Sequence, residues 1–548
     1  MTDPSSASSE PATTPSPAPS PHEGYVSPLA GRYASKEMQR IWSARHKFEL
    51  WRKIWLAVAE AEHEVTKDWP ETKGRPPLVS AEQVAELRAN LDVTDADIEA
   101  ARTYEKELRH DVMSHVHAWG DRCPGARGII HLGMTSQDVN DNCELLILNS
   151  SIHLIYKRAE HVVSMLGTQA NKNRRIATTG YTHYQPAQPT TLGRRCIQWA
   201  HDLDISNQFP HLPLRGLRGA TGTQASFLKL LNGDSTAVDD LELLSVATLS
   251  EVRNNGDEDD ADYAIEWLRS WRDRYIEGER QKPWEETPSG LHFSVVPQQF
   301  VFDLTGQTYS RVVDAQVMGS LANIAVVLHK IATDIRLLCN LGELSEPFET
   351  NQIGSSAMPY KRNPMRCERV CGLCRFVWNL VPNAYDTAAT QWLERTLDDS
   401  SNRRLVLPEA FLALDAALNI MHNVIGGLVV HEKVIARNLE RELPFLATEA
   451  LMMAAVSLGR DRQDVHEAIR QHAMAAKHRM VEGDGENDLV ERLRGEPLLE
   501  GVDIDAELVP ERHIGLAVEQ TERFLKEVIE PLREEHGADD SAVAELDV

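Results

Sequence analysis

Residues 354–364 contain the densest group of side chains that could do chemistry. The segment reads Gly-Ser-Ser-Ala-Met-Pro-Tyr-Lys-Arg-Asn-Pro, and Pro359 and Pro364 preclude an ordinary helix there. A loop of small residues can point its backbone N–H groups at an anion, and Lys361 and Arg362 add positive charge. A plain connection between helices is the alternative, but such connections rarely combine so many catalytic residue types. We therefore predict an anion-binding, catalytic loop.

Two histidine-containing segments differ in what they could do. His110, His115 and His117 lie on a helical pattern, but the zinc-type spacing of histidines four apart with a flanking glutamate is absent, so no metal is predicted. His183 lies in a proline-bounded turn beside Thr182. An imidazole held by polar neighbours in a loop can be fixed in one tautomer, which favours a role in proton transfer.

The segment 394–404 combines three arginines with hydroxyl groups. Guanidinium forks and hydroxyls suit a phosphate or a carboxylate. The alternative is a solvated helix start, which Asp398, Asp399 or Ser400 would cap. Both interpretations stay open from these residues alone.

The elements that must position these residues are predicted to be helical, giving an all-α fold class. Strand-like alternation is confined to short pieces such as 294–302. Apolar residues recur with helical spacing in eight blocks, which are residues 42–65, 80–118, 138–175, 190–208, 306–341, 366–382, 408–428 and 431–458.

The block 310–340 predicts one helix of about seven to eight turns. Its polar residues, such as Lys330 and Asp334, exclude a membrane span, and no run of 18 or more uncharged apolar residues occurs elsewhere. A helix this long needs several long partners, so we predict an extended bundle and favour subunit packing over an intramolecular bundle. Its apolar seam is Val317, Leu321, Ile324, Leu328, Ile331, Ile335 and Leu338.

The chain of 548 residues carries a net charge of −26. This excludes nucleic acid as a favoured partner, because no basic excess is present to neutralise phosphates. Seven scattered cysteines and the lack of a secretory signal favour a reducing, cytoplasmic location. Cys367, Cys371 and Cys374 have the spacing of an iron–sulfur motif, but their helical pattern favours small core residues.

Two segments interrupt the helical pattern. Residues 1–22 are rich in proline and serine and are predicted to be disordered, because they cannot bury enough apolar surface. Residues about 250–290 carry runs of acidic and basic side chains with tryptophans between them, and a surface excursion with some helix is predicted.

The loop resembles the signature loop of the fumarase/aspartase superfamily, and its Met-Pro-Tyr-Lys-Arg-Asn-Pro form is similar to the adenylosuccinate lyase family. Further matches occur in the same order and extend the likeness over roughly residues 24 to 535. They are the segments 27–33, 109–111, 131–136, 182–188, 222–226, 305–311 and 395–400.

This resemblance implies a three-domain, nearly all-helical fold with a long central helical bundle. It also implies a homotetramer with a twenty-helix core, in which three subunits share each active site. With the helical blocks, it predicts a tail over 1–22, an N-terminal helical domain over 23–135, a central domain over 136–430 and a C-terminal helical domain over 431–548.

The implied reaction is an anti β-elimination that requires no cofactor. Fumarate would leave adenylosuccinate to give AMP, and SAICAR to give AICAR, in purine nucleotide biosynthesis. From chemistry alone Ser355 would be a nucleophile. The resemblance instead makes Ser355 the base and His183 the acid, with Lys361 and His110 supporting catalysis.

The resemblance also implies which residues bind the small anionic substrate. The phosphate-side positions are Arg32, Tyr33, Arg395, Ser400 and Arg404. The remaining substrate positions are Arg109, His110, Asp111, Thr135, Ser136, Thr182, Gln307, Lys361, Asn363 and Arg369.

Two other functions are weighed against this one. A sister lyase such as argininosuccinate lyase would share the fold and the base, but the Arg395–Arg404 segment favours a phosphorylated ligand. A silent structural tetramer would not need intact Ser355, Lys361 and His183.

Overall fold

A computed structural model of the chain describes residues 24–253, 270, 272–273, 300–349, 352–354, 356–483 and 485–536. The predicted tail at 1–22 and most of the predicted excursion at 250–290 lie outside these residues, as does most of the strand-like piece at 294–302.

The first half of the described chain contains ten α-helices. They are α1 (Lys36–Ile41), α2 (Ala44–Thr66), α3 (Trp69–Thr72), α4 (Ala81–Ala89), α5 (Asp95–Leu108), α6 (Asp111–Arg122), α7 (Ser136–Lys172), α8 (Leu192–Ser206), α9 (Ala225–Leu230) and α10 (Ser235–Arg253).

The second half of the described chain is also helical. Its helices are α11 (Val312–Asn340), α12 (Met365–Ala389), α13 (Asp398–Gly426), α14 (Glu432–Leu446), α15 (Thr448–Ser457), α16 (Arg462–Glu482), α17 (Leu489–Arg494), α18 (Ala517–Phe524) and α19 (Glu530–His536). Two short antiparallel pairs complete the named elements, β1 (Ala177–Thr182) with β2 (Gln185–Thr191), and β3 (Leu344–Ser345) with β4 (Val429–Val430).

Polar side chains set the starts of several helices. Ser43 accepts a hydrogen bond from the His46 N–H at 3.2 Å before α2, and Asp461 accepts one from the Gln463 N–H at 2.8 Å before α16. Each such cap satisfies an N–H group that has no partner inside the helix. These caps fix where α2 and α16 begin.

The long helices α7, α11, α12 and α13 pack together as a bundle, as the apolar seam predicted. All seven seam residues of α11 are at most 5% exposed. By length and composition α11 and α13 could cross a membrane, but 44% and 72% of their most apolar windows are buried in the structure. Such burial is typical of core helices, whose apolar stripe faces protein.

Two of the predicted helices are longer in the structure, and each contains a proline. The predicted helix over 366–382 continues to Ala389 with Pro382 inside it, and the one over 408–428 begins ten residues earlier, at Asp398, with Pro408 inside it. Proline removes one hydrogen bond and disfavours the preceding turn, but packing of a long helix on both sides can offset that cost. The early start of α13 matters because it brings Ser400 and Arg404 into a helix.

Two apolar clusters organise the described chain. The larger one joins the bundle to α1, α2 and the helices around them. The smaller one is formed by α15, α16, α17 and the turns that follow, around Leu451, Val465 and Leu489. The predicted cysteine trio lies in the larger cluster, where Cys367, Cys371 and Cys374 are each at most 4% exposed. Burial raises the pKa of the Cys367 and Cys374 thiols, as expected for core residues.

Glu242 of α10 braces the turn that follows α8. It is 7% exposed, its Oε1 accepts a hydrogen bond from the Leu217 N–H at 2.8 Å, and its Oε2 lies 3.2 Å from Arg218 Nη2. Burial raises the pKa of Glu242 to about 7, with Arg218 opposing the shift. Because the folded protein binds this proton more tightly than the unfolded chain does, protonation of Glu242 favours folding.

We expect Glu242 to make folding depend on pH. Because its folded pKa lies above the ordinary value of 4.5, its stabilising contribution is complete below about pH 4.5 and is lost as pH rises through about 7. The loss is on the order of 3 kcal/mol, since one pKa unit corresponds to about 1.4 kcal/mol. Between pH 5 and pH 8, the melting temperature of the wild type should fall more than that of Glu242→Gln, as measured by thermal melts.

The exposed Glu519 provides the control, because Glu519→Gln should follow the wild-type pH curve. Parallel curves for wild type and Glu242→Gln would show that Glu242 keeps its ordinary titration in the folded protein.

Candidate active site

A cavity of about 690 Å³ lies where the end of α5 meets the starts of α6, α7 and α13. Helix ends direct unpaired backbone groups and short polar side chains into such a space. Seven of the residues that the sequence predicted as site residues line it, namely Arg109, His110, Asp111, Ser136, Arg395, Ser400 and Arg404.

The junction between α5 and α6 projects Arg109 and His110 toward this cavity. Arg109 ends α5 with φ at 54°, and its N–H donates to the Glu105 carbonyl at 2.9 Å. His110 caps α6, with Nδ1 accepting from the Met113 N–H at 3.3 Å. A residue other than glycine is uncommon in the left-handed region, and such residues concentrate at functional sites.

Polar contacts join the walls of the cavity. His110 Nε2 lies 3.4 Å from Ser136 Oγ at the start of α7. Asp111 Oδ2 accepts from Arg404 Nη2 on α13 at 3.3 Å. The two contacts hold residues from distant parts of the sequence on opposite sides of one space.

The cavity is suited to an anion despite the acidic chain. Three guanidinium groups line it, from Arg109, Arg395 and Arg404, and both α7 and α13 begin at its edge. The N-terminal ends of helices carry partial positive charge and free N–H groups. Arginine forks match phosphate and carboxylate oxygens, so a ligand with either group is favoured.

Arg395 is held by its neighbours on two sides. It donates from Nη1 to Gln307 Oε1 at 3.0 Å, and Gln307 itself donates from Nε2 to the Ala220 carbonyl at 3.0 Å. With its amide oriented to satisfy both neighbours, Gln137 accepts from Arg395 Nη1 at 2.6 Å. Gln307 was predicted as a site residue. It contacts Arg395 but does not itself line the cavity.

The lining of the cavity does not include four other predicted residues, Thr135, Arg32, Tyr33 and Arg369. Thr135 precedes α7, and its N–H donates to Asp138 Oδ2 at 2.7 Å. Arg32 and Arg369 lie against the half-buried Tyr33 ring, at 5.9 and 5.5 Å from its centroid. These cation–π contacts form a separate cluster of two cations and a phenol.

The predicted catalytic loop folds back on itself at its base. Asn363 Nδ2 donates to the Gly354 carbonyl at 2.9 Å, and the Lys361 N–H donates to the Met358 carbonyl at 3.0 Å. A Cβ atom at Gly354 would collide with the Lys361 carbonyl oxygen, so glycine is required for this closure. Lys361 is exposed, and Ser355 lies outside the residues that the structure describes.

His183 and Thr182 lie in a β-hairpin that the sequence pattern did not predict. β1 and β2 pair up to Thr182 and Gln185, and His183 and Tyr184 between them have φ of 51° and 58°. Two successive positive φ values are typical of a type I′ hairpin turn. The alternation of polar and small residues in this segment was too weak to reveal two strands. His183 is exposed at the tip and does not line the cavity.

The other histidines have structural neighbours. Burial lowers the pKa of His115 to about 4, and its ring packs 3.8 Å from the Phe48 ring. His117 stacks on Tyr104 at 5.2 Å, whereas His110 faces Ser136. The three imidazoles of the metal alternative therefore contact different partners. Burial also lowers the pKa of His131 to about 4.

Sequence reasoning missed several residues of the cavity. Gln137 and Asn140 line it from α7, and Glu105, Leu397, Asp398 and Ser401 line it from the other helix ends. A signal existed for Asn140, because residues four apart share a helix face and Ser136 was already a candidate.

Two family models match the chain. The one described as Lyase matches residues 31–226 and 290–378, and the one described as Adenylosuccinate lyase C-terminus matches residues 444–524. The chain is 41% identical to the adenylosuccinate lyase of Schizosaccharomyces pombe over 91% of its own length and 94% of the relative's. It is 40% identical to that of Saccharomyces cerevisiae over 92% and 95%, respectively.

Solved structures share the fold at lower sequence identity. A fumarate lyase from Mesorhizobium sp. BNC1 superposes with a TM-score of 0.67 at 20% identity, over 90% of this chain and 99% of the other. The 3-carboxy-cis,cis-muconate lactonizing enzyme of Pseudomonas putida gives 0.68 at 22%, over 94% and 99%. The Lyase family model and the two relatives place the chain in the fumarase/aspartase superfamily, as the signature loop predicted. With identities of 40% and above over nearly its whole length, the chain belongs to the adenylosuccinate lyase family.

Proposed function

We propose that the protein cleaves adenylosuccinate to fumarate and AMP, and SAICAR to fumarate and AICAR. Membership of the family gives the general activity, which is that of a carbon–nitrogen lyase. The observation that supports a nucleotide substrate is the cavity in which Arg395, Ser400 and Arg404 lie beside the start of α13. A phosphate would meet guanidinium forks, hydroxyls and a helix N-terminus there.

The succinyl end needs a base, an acid and charge stabilisation. In the proposal, Ser355 removes the proton from the carbon next to a carboxylate, and His183 protonates the nitrogen as the C–N bond breaks and the C=C bond forms. A serine alkoxide is too basic to form unaided, so Lys361 and loop N–H groups must stabilise it. His110 would support the same end of the substrate, since it faces Ser136 across the cavity.

The remaining predicted contacts divide between the two ends of the substrate. In the proposal, Arg32 and Tyr33 complete the phosphate side with Arg395, Ser400 and Arg404. The succinyl side is assigned to Arg109, Asp111, Thr135, Ser136, Thr182, Gln307, Asn363 and Arg369.

We also propose that the active enzyme is a homotetramer whose subunits share each site. Within one chain the cavity, the Arg32–Tyr33–Arg369 cluster and the His183 hairpin are distinct groups of residues. Large apolar side chains are exposed between and on the long helices, with Trp392 at 75%, Leu393 at 96% and Leu405 at 67%. Apolar surface of this kind is typical of an interface with a partner. A cytoplasmic location remains part of the proposal.

An assay of the purified protein tests the proposed reaction. Adenylosuccinate incubated with the protein and an excess of chelator should release fumarate and AMP in equal amounts, because the proposed chemistry needs no metal. Fumarate is followed by absorbance and AMP by chromatography. A panel of argininosuccinate, aspartate and malate, supplied under the same conditions, should release no fumarate.

Release of fumarate from argininosuccinate but not from adenylosuccinate would favour the sister lyase. No fumarate from any of these compounds would favour the silent structural tetramer.

A further inference from the structure

A buried set of ion pairs lies behind the nucleotide cavity. Arg311, just before α11, is 3% exposed. Its Nη2 lies 3.1 Å from Asp141 Oδ1 on α7, and its Nε lies 2.9 Å from Asp399 Oδ2 on α13. One guanidinium therefore ties together the starts of three long helices. Asp141 and Asp399 are each at most 2% exposed, so both carboxylates depend on this pairing.

The carboxylates of Asp399 and Asp141 connect Arg311 to Arg395, the first directly and the second through Gln137. Asp399 Oδ1 faces Arg395 Nη2 at 3.9 Å. Asp141 Oδ1 accepts from the Gln137 amide at 3.0 Å, and the other end of that amide accepts from Arg395. The position of Arg395 therefore depends on Arg311 in two ways. One is the charge of Asp399, and the other is the pair of hydrogen bonds made by the Gln137 amide.

The chain around Arg311 strengthens this connection. The Tyr309 N–H donates to Asp141 Oδ2 at 2.9 Å, and the Arg311 guanidinium lies 4.5 Å from the Tyr309 ring centroid. Gln307, four residues before Arg311, bonds to Arg395 directly. A short segment therefore fixes both the buried pair and the cavity arginine.

We propose that Arg311 is a positioning residue that orients Arg395 toward the phosphate of the substrate, acting through Asp399 and through Asp141 with Gln137. This inference rests on the proposed function, because it assigns the phosphate to the Arg395 side. Arg311 contacts no substrate itself. Its role is to present the guanidinium of Arg395 in a fixed orientation, which lowers the cost of binding the anion.

Arg311→Lys is the test variant, because lysine keeps the charge but cannot bridge two carboxylates with a planar fork. Kinetics are measured with adenylosuccinate and with its dephosphorylated nucleoside. KM for the nucleotide should rise about tenfold or more, the size expected for a weakened charged hydrogen bond, with kcat little changed. KM for the nucleoside should change by less than about twofold, because it has no phosphate for Arg395 to bind.

Arg52→Lys is the matched control. Arg52 is also buried, and its Nη2 lies 3.3 Å from Asp97 Oδ1, but it makes no hydrogen bond or ion pair with Arg395 or Arg311 in the described part of the chain. It should lower the melting temperature without a phosphate-specific change in KM. Asp399→Asn, which removes the charge facing Arg395, should reproduce the Arg311→Lys pattern and serves if Arg311→Lys does not fold.

Equal penalties on nucleotide and nucleoside, or the same phosphate-specific penalty in Arg52→Lys, would overturn the positioning role. So would an unchanged KM in both Arg311→Lys and Asp399→Asn. A wild-type protein that does not cleave adenylosuccinate would contradict the proposed function. An active wild type whose variants have an unchanged KM would contradict only the positioning role of Arg311.

Discussion

Ser355→Ala should lose about 10²- to 10⁴-fold in kcat while folding normally, which is the usual contribution of a positioned general base. The reason is that alanine keeps the small volume of the loop residue but has no oxygen to take the proton. Substrate contacts on the phosphate side are untouched, so KM should change little. The measurement is steady-state fumarate release, with circular dichroism and a thermal melt to confirm folding.

Ser356→Ala supplies the control for this prediction. Ser356 is the adjacent exposed serine of the same loop and has no assigned role in the reaction. Its replacement should cost less than about tenfold, well below the contribution of a general base. If Ser355→Ala remained active while Ser356→Ala was inactive, the neighbouring serine would be the base.

His183→Ala should also lose about 10²- to 10⁴-fold in kcat, because the departing nitrogen would have no proton donor. The hairpin turn places His183 and Tyr184 at positive φ, so alanine could distort it. His183→Asn separates the two effects, since asparagine tolerates the left-handed region but cannot act as the acid. Both variants should be inactive, and both should bind the substrate.

His466 on α16 provides a control, because it is an exposed histidine with no assigned role. His466→Ala should keep wild-type kinetics. Substantial turnover in His183→Asn would mean that another group protonates the leaving nitrogen.

Local periodicity predicted the long helices well, and its errors have a physical cause. The seam of α11 is buried throughout because a 3.6-residue repeat is a direct consequence of helix geometry. The predicted blocks ended at residue 382 and began at residue 408, yet Pro382 and Pro408 both lie inside longer helices. The cost of a proline depends on packing, which a sequence window does not contain.

The cavity was predictable only where a motif marked it. Residue types pointed to the segment that holds Arg395 and Arg404, and the resemblance assigned both to the phosphate. Asp141 and Arg311 were missed as partners. Their pairing joins residues 170 positions apart, and no local spacing encodes such a contact. Arg311 lay inside a matched motif, but its burial between two carboxylates required the folded chain.

In the proposed tetramer, Ser355 of one copy and His183 of another act on the same substrate molecule. Chains carrying Ser355→Ala and chains carrying His183→Ala, with different tags, can be co-expressed and the mixed assemblies purified through both tags. These assemblies should regain fumarate release that neither parent shows, because some sites combine an intact serine from one chain with an intact histidine from another. Mixed assemblies that are as inactive as both parents would contradict it.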